Sequence, residues 1–344
     1  MHTIETERLL LRPFEEKDYG TILSISSDPE SVKYLYFWGL NGMTPEQDAH
    51  RFLNHTLKEW QKTPVTMREY CVVLKATGEP IGDASVEVHD ATTAEIGWIL
   101  LPAYRGQGYA TEAGRAMMDF GFTQYHAQRV IAHCDARNAP SYHVMERLGM
   151  TLDGIQKEAR PAKTEGGVKG DEATYGISRE DWAWRFYHGL NGHFDGFMAL
   201  PDLTDGDIRL VCQRKRPAEP ERNRVPGYEF LIARGSERLG EIRLRIGNPD
   251  FLFYCGHIGY SVDEAYRGQG IAGRACRLLR PVMRYHGMTA ALITNDIDNL
   301  ASRRVCEKLG CTFLCRARIP DDHEMRLEDG EDAVNVFAFP AEEG

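Results

Sequence analysis

The chain has 344 residues, enough for two domains of ordinary size, each with its own core. It contains no run of about 18 apolar residues, which excludes a membrane-spanning helix. A formal net charge of −10 argues against a nucleic-acid backbone as the main partner, and the eight scattered cysteines form neither a disulfide framework nor a zinc pattern, so no metal is expected.

The opening residues 1–7 are polar and acidic, unlike a signal or transit peptide, and the expectation is a cytoplasmic protein. Residues 8–12 read as a strand closed by Pro13, and 18–26 as a short helix. Asp28-Pro29-Glu30 starts a further helical piece, and 34–38 is strongly aromatic. Thr44-Pro45-Glu46-Gln47 predicts a helix entry, with a capping threonine and proline at the first helical position, running to about residue 61. Residues 70–75 and 80–88 read as paired strands, 93–101 as the next strand, 110–125 as a helix and 129–134 as a strand. A helix over 140–148 stops at Gly149, and 150–155 and 171–177 read as the last strands of this half. The aromatic stretch 179–200 reads as a linker packed on a domain. Strands then fall at 207–213, 228–234, 238–246, 257–262 and 290–294, with helices at 272–286 and 301–309. The tail 321–332 reads as an acidic loop.

One pentapeptide occurs twice, as Tyr104-Arg105-Gly106-Gln107-Gly108 and Tyr266-Arg267-Gly268-Gln269-Gly270. Each copy follows a strand-like run and opens a helix-like stretch. A strand, a glycine-rich turn and a helix start make a phosphate cradle in outline, because glycine lets the backbone approach an anion facing the helix's positive end. The match extends outward. Glu95-Ile96-Gly97-Trp98 pairs with His257-Ile258-Gly259-Tyr260, Asn138-Ala139-Pro140-Ser141 with Asn299-Leu300-Ala301-Ser302, and Glu146-Arg147-Leu148-Gly149 with Glu307-Lys308-Leu309-Gly310. The same order at nearly the same spacing indicates a duplicated domain, not a solenoid. A dinucleotide-binding reading fits less well, because the third motif position is Thr111 or Gly273 and each cradle sits mid-domain.

The pattern R-G-x-G-x-A after a strand, then N-x-x-S and E-[RK]-L-G, resembles the GNAT superfamily of acetyl-CoA-dependent N-acetyltransferases. The first copy is similar to the RimJ/RimL type. The resemblance implies two α/β (α+β) domains, each a mixed, mostly antiparallel sheet flanked by helices. The expected boundaries are 1–182 and 197–344, with 183–196 as linker and no long N-terminal helical region in the second domain. It further implies acetyl-CoA as acetyl donor, an amine as acceptor, no nucleic acid, no membrane, and a monomer or homodimer.

The same resemblance implies roles for particular residues. Backbone N–H groups near Leu100 and Val262 would polarise the thioester. Arg105, Gly106, Gln107, Gly108, Tyr109 and Ala110 would hold the pyrophosphate, the arginine adding charge, as would Arg267, Gly268, Gln269, Gly270, Ile271 and Ala272. Asn138 and Asn299 match residues that bond the pantetheine arm, and Ser141 and Ser302 a serine that contacts the cofactor or protonates the thiolate. Glu95 holds the place of a general base, with His257 in the matching place. Met145 and Cys306 stand where many relatives carry an acidic tyrosine. Tyr34, Tyr36 and Trp38 either pack in the core or line the acceptor pocket.

An amine of pKa near 10 is protonated at pH 7, so acetylation needs a group to take its proton. The first domain is the expected catalyst, acting on a small cationic molecule such as an aminoglycoside or polyamine. A protein N-terminal acetyltransferase and a non-catalytic acetyl-CoA sensor are the alternatives.

Overall fold

The structure, a computed structural model, describes residues 3–35, 42–160, 169–328 and 330–342. It divides into two compact units, Met1–Arg179 and Glu180–Gly344.

The first unit opens with β1 (Ile4–Glu5) and β2 (Leu9–Pro13), followed by helices α1 (Tyr19–Ser27), α2 (Pro29–Val32) and α3 (Pro45–Glu59). Thr44 and Gln47 close a reciprocal cap on α3, with Pro45 in its first turn. Then come β3 (Met67–Leu74), β4 (Glu79–Val88), β5 (Thr93–Leu100), α4 (Tyr109–Thr123), β6 (Arg129–Asp135), α5 (Ala139–Leu148), β7 (Thr151–Arg160) and β8 (Gly170–Ser178). The strands lie in the order β1-β2-β3-β4-β5-β6-β8-β7. All pair antiparallel except β5 with β6.

That exception positions the site. β5 pairs with β4 from Gly82 opposite Leu100 to Val88 opposite Ala94. It pairs with β6 only over Thr93, Ala94 and Glu95. Both strands then continue unpaired to each other, so the sheet opens into a V with its apex at Glu95. The Leu101 N–H bonds Ile81 O. Ladder alternation therefore turns the N–H and C=O groups of Trp98 and Leu100 away from β4 and into the V. On one face Val86, Ala94 and Val130 meet Gly121 of α4. On the other, Cys71 joins Phe14, Ile22, Ala49 and Leu53 beneath α1 and α3.

The second unit begins one residue into α6 (Arg179–His188), whose Trp184 and Tyr187 rings lie 4.9 and 5.6 Å from that of Phe253. Residues 183–196, expected as linker, therefore belong largely to this unit. Next come β9 (Thr204–Asp205), β10 (Ile208–Arg216), β11 (Gly227–Arg234), β12 (Glu237–Arg245), α7 (Leu252–Cys255), β13 (Ile258–Val262), α8 (Ile271–Leu278), α9 (Arg280–Tyr285), β14 (Ala290–Asp296), α10 (Leu300–Lys308), β15 (Thr312–Arg318), α11 (Glu324–Glu328) and β16 (Ala333–Pro340). The single helix expected over 272–286 is two, because Pro281 in the first turn of α9 has no N–H to continue α8. Within the acidic tail, α11 is a short helix rather than loop. Among the described residues the strands form two sheets, β13-β12-β11-β10-β9 and β14-β16-β15. Here the V between β13 and β14 is complete, bridged at its apex by the His257 N–H to Leu292 O at 2.8 Å. No helix among the described residues is long and apolar enough to cross a membrane.

Candidate active site

Both cradles have the same backbone. Gly106 and Gly108 have φ of 75° and 85°, and Gly268 and Gly270 have φ of 79° and 73°. Side chains of L residues rarely adopt these angles. Gly108 and Gly270 are the N-caps of α4 and α8 and offer no capping side chain. The first-turn N–H groups are left for an anion at the helix's positive end. By contrast, side chains of Thr44 and Asn299 cap α3 and α10. Arg105 Nε bonds Leu100 O at 3.0 Å, and Arg267 Nε bonds Val262 O at 3.2 Å. Each arginine thus ties its cradle to the end of the preceding strand. Arg105 also reaches Ser31 Oγ at 2.5 Å. Gln107 O accepts from Arg8, whose guanidinium lies over the Tyr109 ring. Ala110 lies in the first turn of α4, and Gln269 is exposed. Ile271 and Ala272 are buried. A groove of about 930 Å³ opens at Gly108 and runs along α4, lined by Arg8, Arg115 and Arg147 and also by Glu5, Glu7, Glu112 and Asp119, with Arg8 paired to Glu112.

The face of the first unit under α1 and α3 carries a strip of carboxylates. Register sets Glu87 opposite Glu95, Ser85 opposite both Gly97 and Glu69, and Asp83 opposite Ile99. Glu69 and Asp83 are 7% and 4% exposed, and neither has a cationic partner among the described residues. Burial raises the pKa of both; Asp83 and Glu87 raise Glu69 further. Glu95 is also pushed up by burial, and His133 and His89 pull it back. Glu95 Oε2 lies 3.8 Å from His133 Nε2 and 3.7 Å from His89 Nδ1. His133 Nδ1 lies 2.9 Å from Thr174 Oγ1 and 3.7 Å from Glu172. The histidine therefore stands between the apex carboxylate and a second one. The sequence reading missed this strip. The polar alternation Asp83-Ala84-Ser85-Val86-Glu87 signals it, but only the register shows that Glu69 and Glu95 share its face.

Asn138 precedes α5 and its amide makes no bond with a described residue. Ser141 lies half-buried in the first turn of α5, beside the Cys134 thiol. Tyr34 is half-buried, its carbonyl 3.4 Å from Arg160 Nη1. Tyr36 and Trp38 lie outside the described residues.

The second unit departs at the matching positions. His257 is fully buried, and its Nδ1 accepts from the Leu292 N–H at 2.9 Å. Its Nε2 lies 3.1 Å from Gly247 O. Burial drives its pKa down to about 4. This corrects the expectation of a base there: both nitrogens are engaged and no face opens to an acceptor. Asn299 Oδ1 caps the Ser302 N–H, and Ser302 Oγ lies 2.9 Å from the Tyr260 hydroxyl. Tyr260 occupies the place of Trp98, and the sequence reading did not single it out. The Cys306 thiol is pushed up by its bond with Cys311 and by burial, which removes it as a nucleophile. Among the described residues no cluster of three or more histidine, cysteine, aspartate or glutamate side chains is placed to hold a metal.

The V between β5 and β6 thus has a glycine-rich helix start at one end and the carboxylate of Glu95 at its apex. The model of the acetyltransferase (GNAT) domain matches residues 8–151 and 177–312, so the chain belongs to the GNAT family with two such domains, and it is an N-acetyltransferase. The family uses acetyl-CoA. The chain is 35% identical over 189 residues to the uncharacterized N-acetyltransferase YnaD of Bacillus subtilis, covering 53% of this chain and 99% of YnaD. It is 26% identical over 146 residues to spermidine N(1)-acetyltransferase of Escherichia coli, covering 42% of this chain and 73% of that enzyme. Among solved structures, a GNAT-family acetyltransferase from Bacillus anthracis is 32% identical with a TM-score of 0.44, over 52% of this chain and 98% of that one.

Proposed function

We propose that the first unit transfers acetyl from acetyl-CoA to a small polycationic amine, a polyamine or aminoglycoside, by direct attack of the amine. The observation that carries this reading is the strip Glu69, Asp83, Glu87 and Glu95. Glu69 and Asp83 lie buried without a cation among the described residues, which is unfavourable, while Glu87 is exposed and Glu95 lies beside two histidines; an acceptor with more than one ammonium group would supply the missing charge. The similarity to a spermidine acetyltransferase agrees with this reading.

Acetyl-CoA, when bound, supplies the activated thioester. The N–H groups of the 105–110 cradle would seat its pyrophosphate. Trp98 and Leu100 direct N–H groups into the V, where they would polarise the thioester carbonyl. Asn138 and Ser141 border the other side of the V. Gly97 leaves the acceptor face open beside Ser85. Glu95, raised in pKa by burial, would take the amine's proton, and His133 would carry it toward Glu172. Tyr34 would border the acceptor.

The test is acetyl-CoA-dependent thiol release with polyamines, aminoglycosides, amino acids and free-N-terminus peptides. Turnover of polyamines or aminoglycosides, lost in Glu95→Gln, is expected. Turnover of peptides alone would move the assignment to protein N-termini. Acetyl-CoA binding without turnover of any amine would point to a sensor.

A further inference from the structure

The two units carry opposite charge at the same positions of the sheet. In the first unit, the side chain over the glycine beside the V is Ser85: a Cβ at Gly97 would stand 2.8 Å from Ser85 Oγ. In the second it is an arginine: a Cβ at Gly259 would stand 2.7 Å from Arg243 Nε. Arg243 sits opposite Gly259 in the ladder, as Ser85 sits opposite Gly97. One position further, Arg245 replaces Glu87, and His257 replaces Glu95. The two acids that remain each have an arginine: Glu229 holds Arg216 Nε at 3.0 Å, and Glu241 lies 3.0 Å from Arg238 Nη2. In the first unit the matching Glu69 and Asp83 have none.

Arg243 is exposed and makes no hydrogen bond or ion pair with a described residue. Arg245, behind it, donates Nη1 to Cys255 O and Gly256 O at 3.0 and 2.8 Å. Arg243 and Arg216 lie close enough to Arg245 to oppose its charge. Among the described residues, β10 leads to β11 through a loop with one short turn, so this face lacks a counterpart of α1 and α3, although α6 packs at its apex, its Tyr187 ring 5.8 Å from that of His257. An ammonium approaching Gly259 meets a guanidinium. A carboxylate or phosphate meets a planar fork of N–H donors matched to two oxygens.

We propose that the second unit carries an anion site beside its V, in which Arg243, backed by Arg245, receives a small carboxylate- or phosphate-bearing molecule, and that this unit does not take the polycationic acceptor of the first. The chain thus joins two GNAT domains of opposite acceptor-side charge. The anion site stands on the second unit alone, whereas the exclusion of a polycationic acceptor rests on the function proposed for the first unit.

Calorimetric titration of the full chain, saturated with coenzyme A, with succinate, inorganic phosphate and spermidine tests it. Succinate or phosphate should bind, the tighter one identifying the anion class. Affinity should fall about tenfold or more in Arg243→Glu, in keeping with the loss of a charge-assisted hydrogen bond, and by less in Arg243→Lys, which keeps the charge but loses the fork. Arg243 is exposed, so these variants are expected to fold, which circular dichroism checks. Absence of anion binding, or equal binding by wild type and Arg243→Glu, overturns the proposal. Spermidine turnover by a Gly108→Asp variant, whose first cradle is blocked, overturns it as well.

Discussion

In the function proposed for the first unit, the chemistry turns on carboxylates whose protons are held by burial. Glu95 is raised by burial and lowered by His133. Glu95→Gln should reduce kcat by about 10²–10⁴, the range for a lost general base. His133→Gln removes the lowering charge, so the acid limb of the kcat/KM profile should move to higher pH. A limb that stays in place would remove His133 from the proton path. Glu69 and Asp83 make a second case. Their folded pKa values lie above the unfolded ones, so the folded state holds protons that the unfolded chain has lost, and stability falls as pH rises through that window. Glu69→Gln with Asp83→Asn should therefore gain stability over wild type between about pH 4 and pH 8, at about 1.4 kcal/mol per unit of pKa relieved. Thermal melts at both pH values measure the gain. The same pair of changes should raise KM for a polyamine more than for a monoamine. His257 works in the opposite sense. Its pKa is lowered to about 4, so the unfolded chain binds the proton first, and stability is lost as pH falls from about 6.5. Over that window the loss is about 3 kcal/mol, and His257→Gln should flatten it in acid melts.

At the scale of the element, the cradle and the V act together. Gly108 and Gly270 sit at positive φ as uncapped helix starts. Replacing either by aspartate strains the backbone by about 1–2 kcal/mol and places a carboxylate in an anion seat. Gly108→Asp should weaken acetyl-CoA binding at the first cradle and abolish amine turnover, whereas Gly270→Asp should leave amine turnover intact. Equilibrium binding with radiolabelled coenzyme and steady-state assays separate the two. The cradle was legible because glycine, arginine and the following helix are contiguous in the chain. Helix starts were legible for the same reason, as at Thr44-Pro45-Glu46-Gln47. The break between α8 and α9 could be read from Pro281, but an apolar run through it favours one helix on pattern alone. Strands β15 and β16 escaped the sequence reading, although they are consecutive in the chain and pair with each other.

At the scale of the whole molecule, the chain divides at Arg179, and the core of the second unit draws only on residues beyond that point. A fragment of residues 1–179 should fold cooperatively and retain turnover of its amine acceptor. An unfolded or inactive fragment would show that the second unit is required.

By itself the sequence determined the duplication, the family resemblance, both cradles and the apex positions Glu95 and His257. These are local matters: backbone angles, helix starts and motif order are written in adjacent residues. Only the tertiary structure decided what the apex residues can do. Glu95 and His257 hold matching places, yet one lies half-buried beside two histidines and the other is sealed with both nitrogens bonded. Likewise, Glu69 joins Glu95, and Arg243 covers Gly259, only through strand register. Burial and register bring together residues distant in the chain, and these set proton affinity and the charge of the face beside each V.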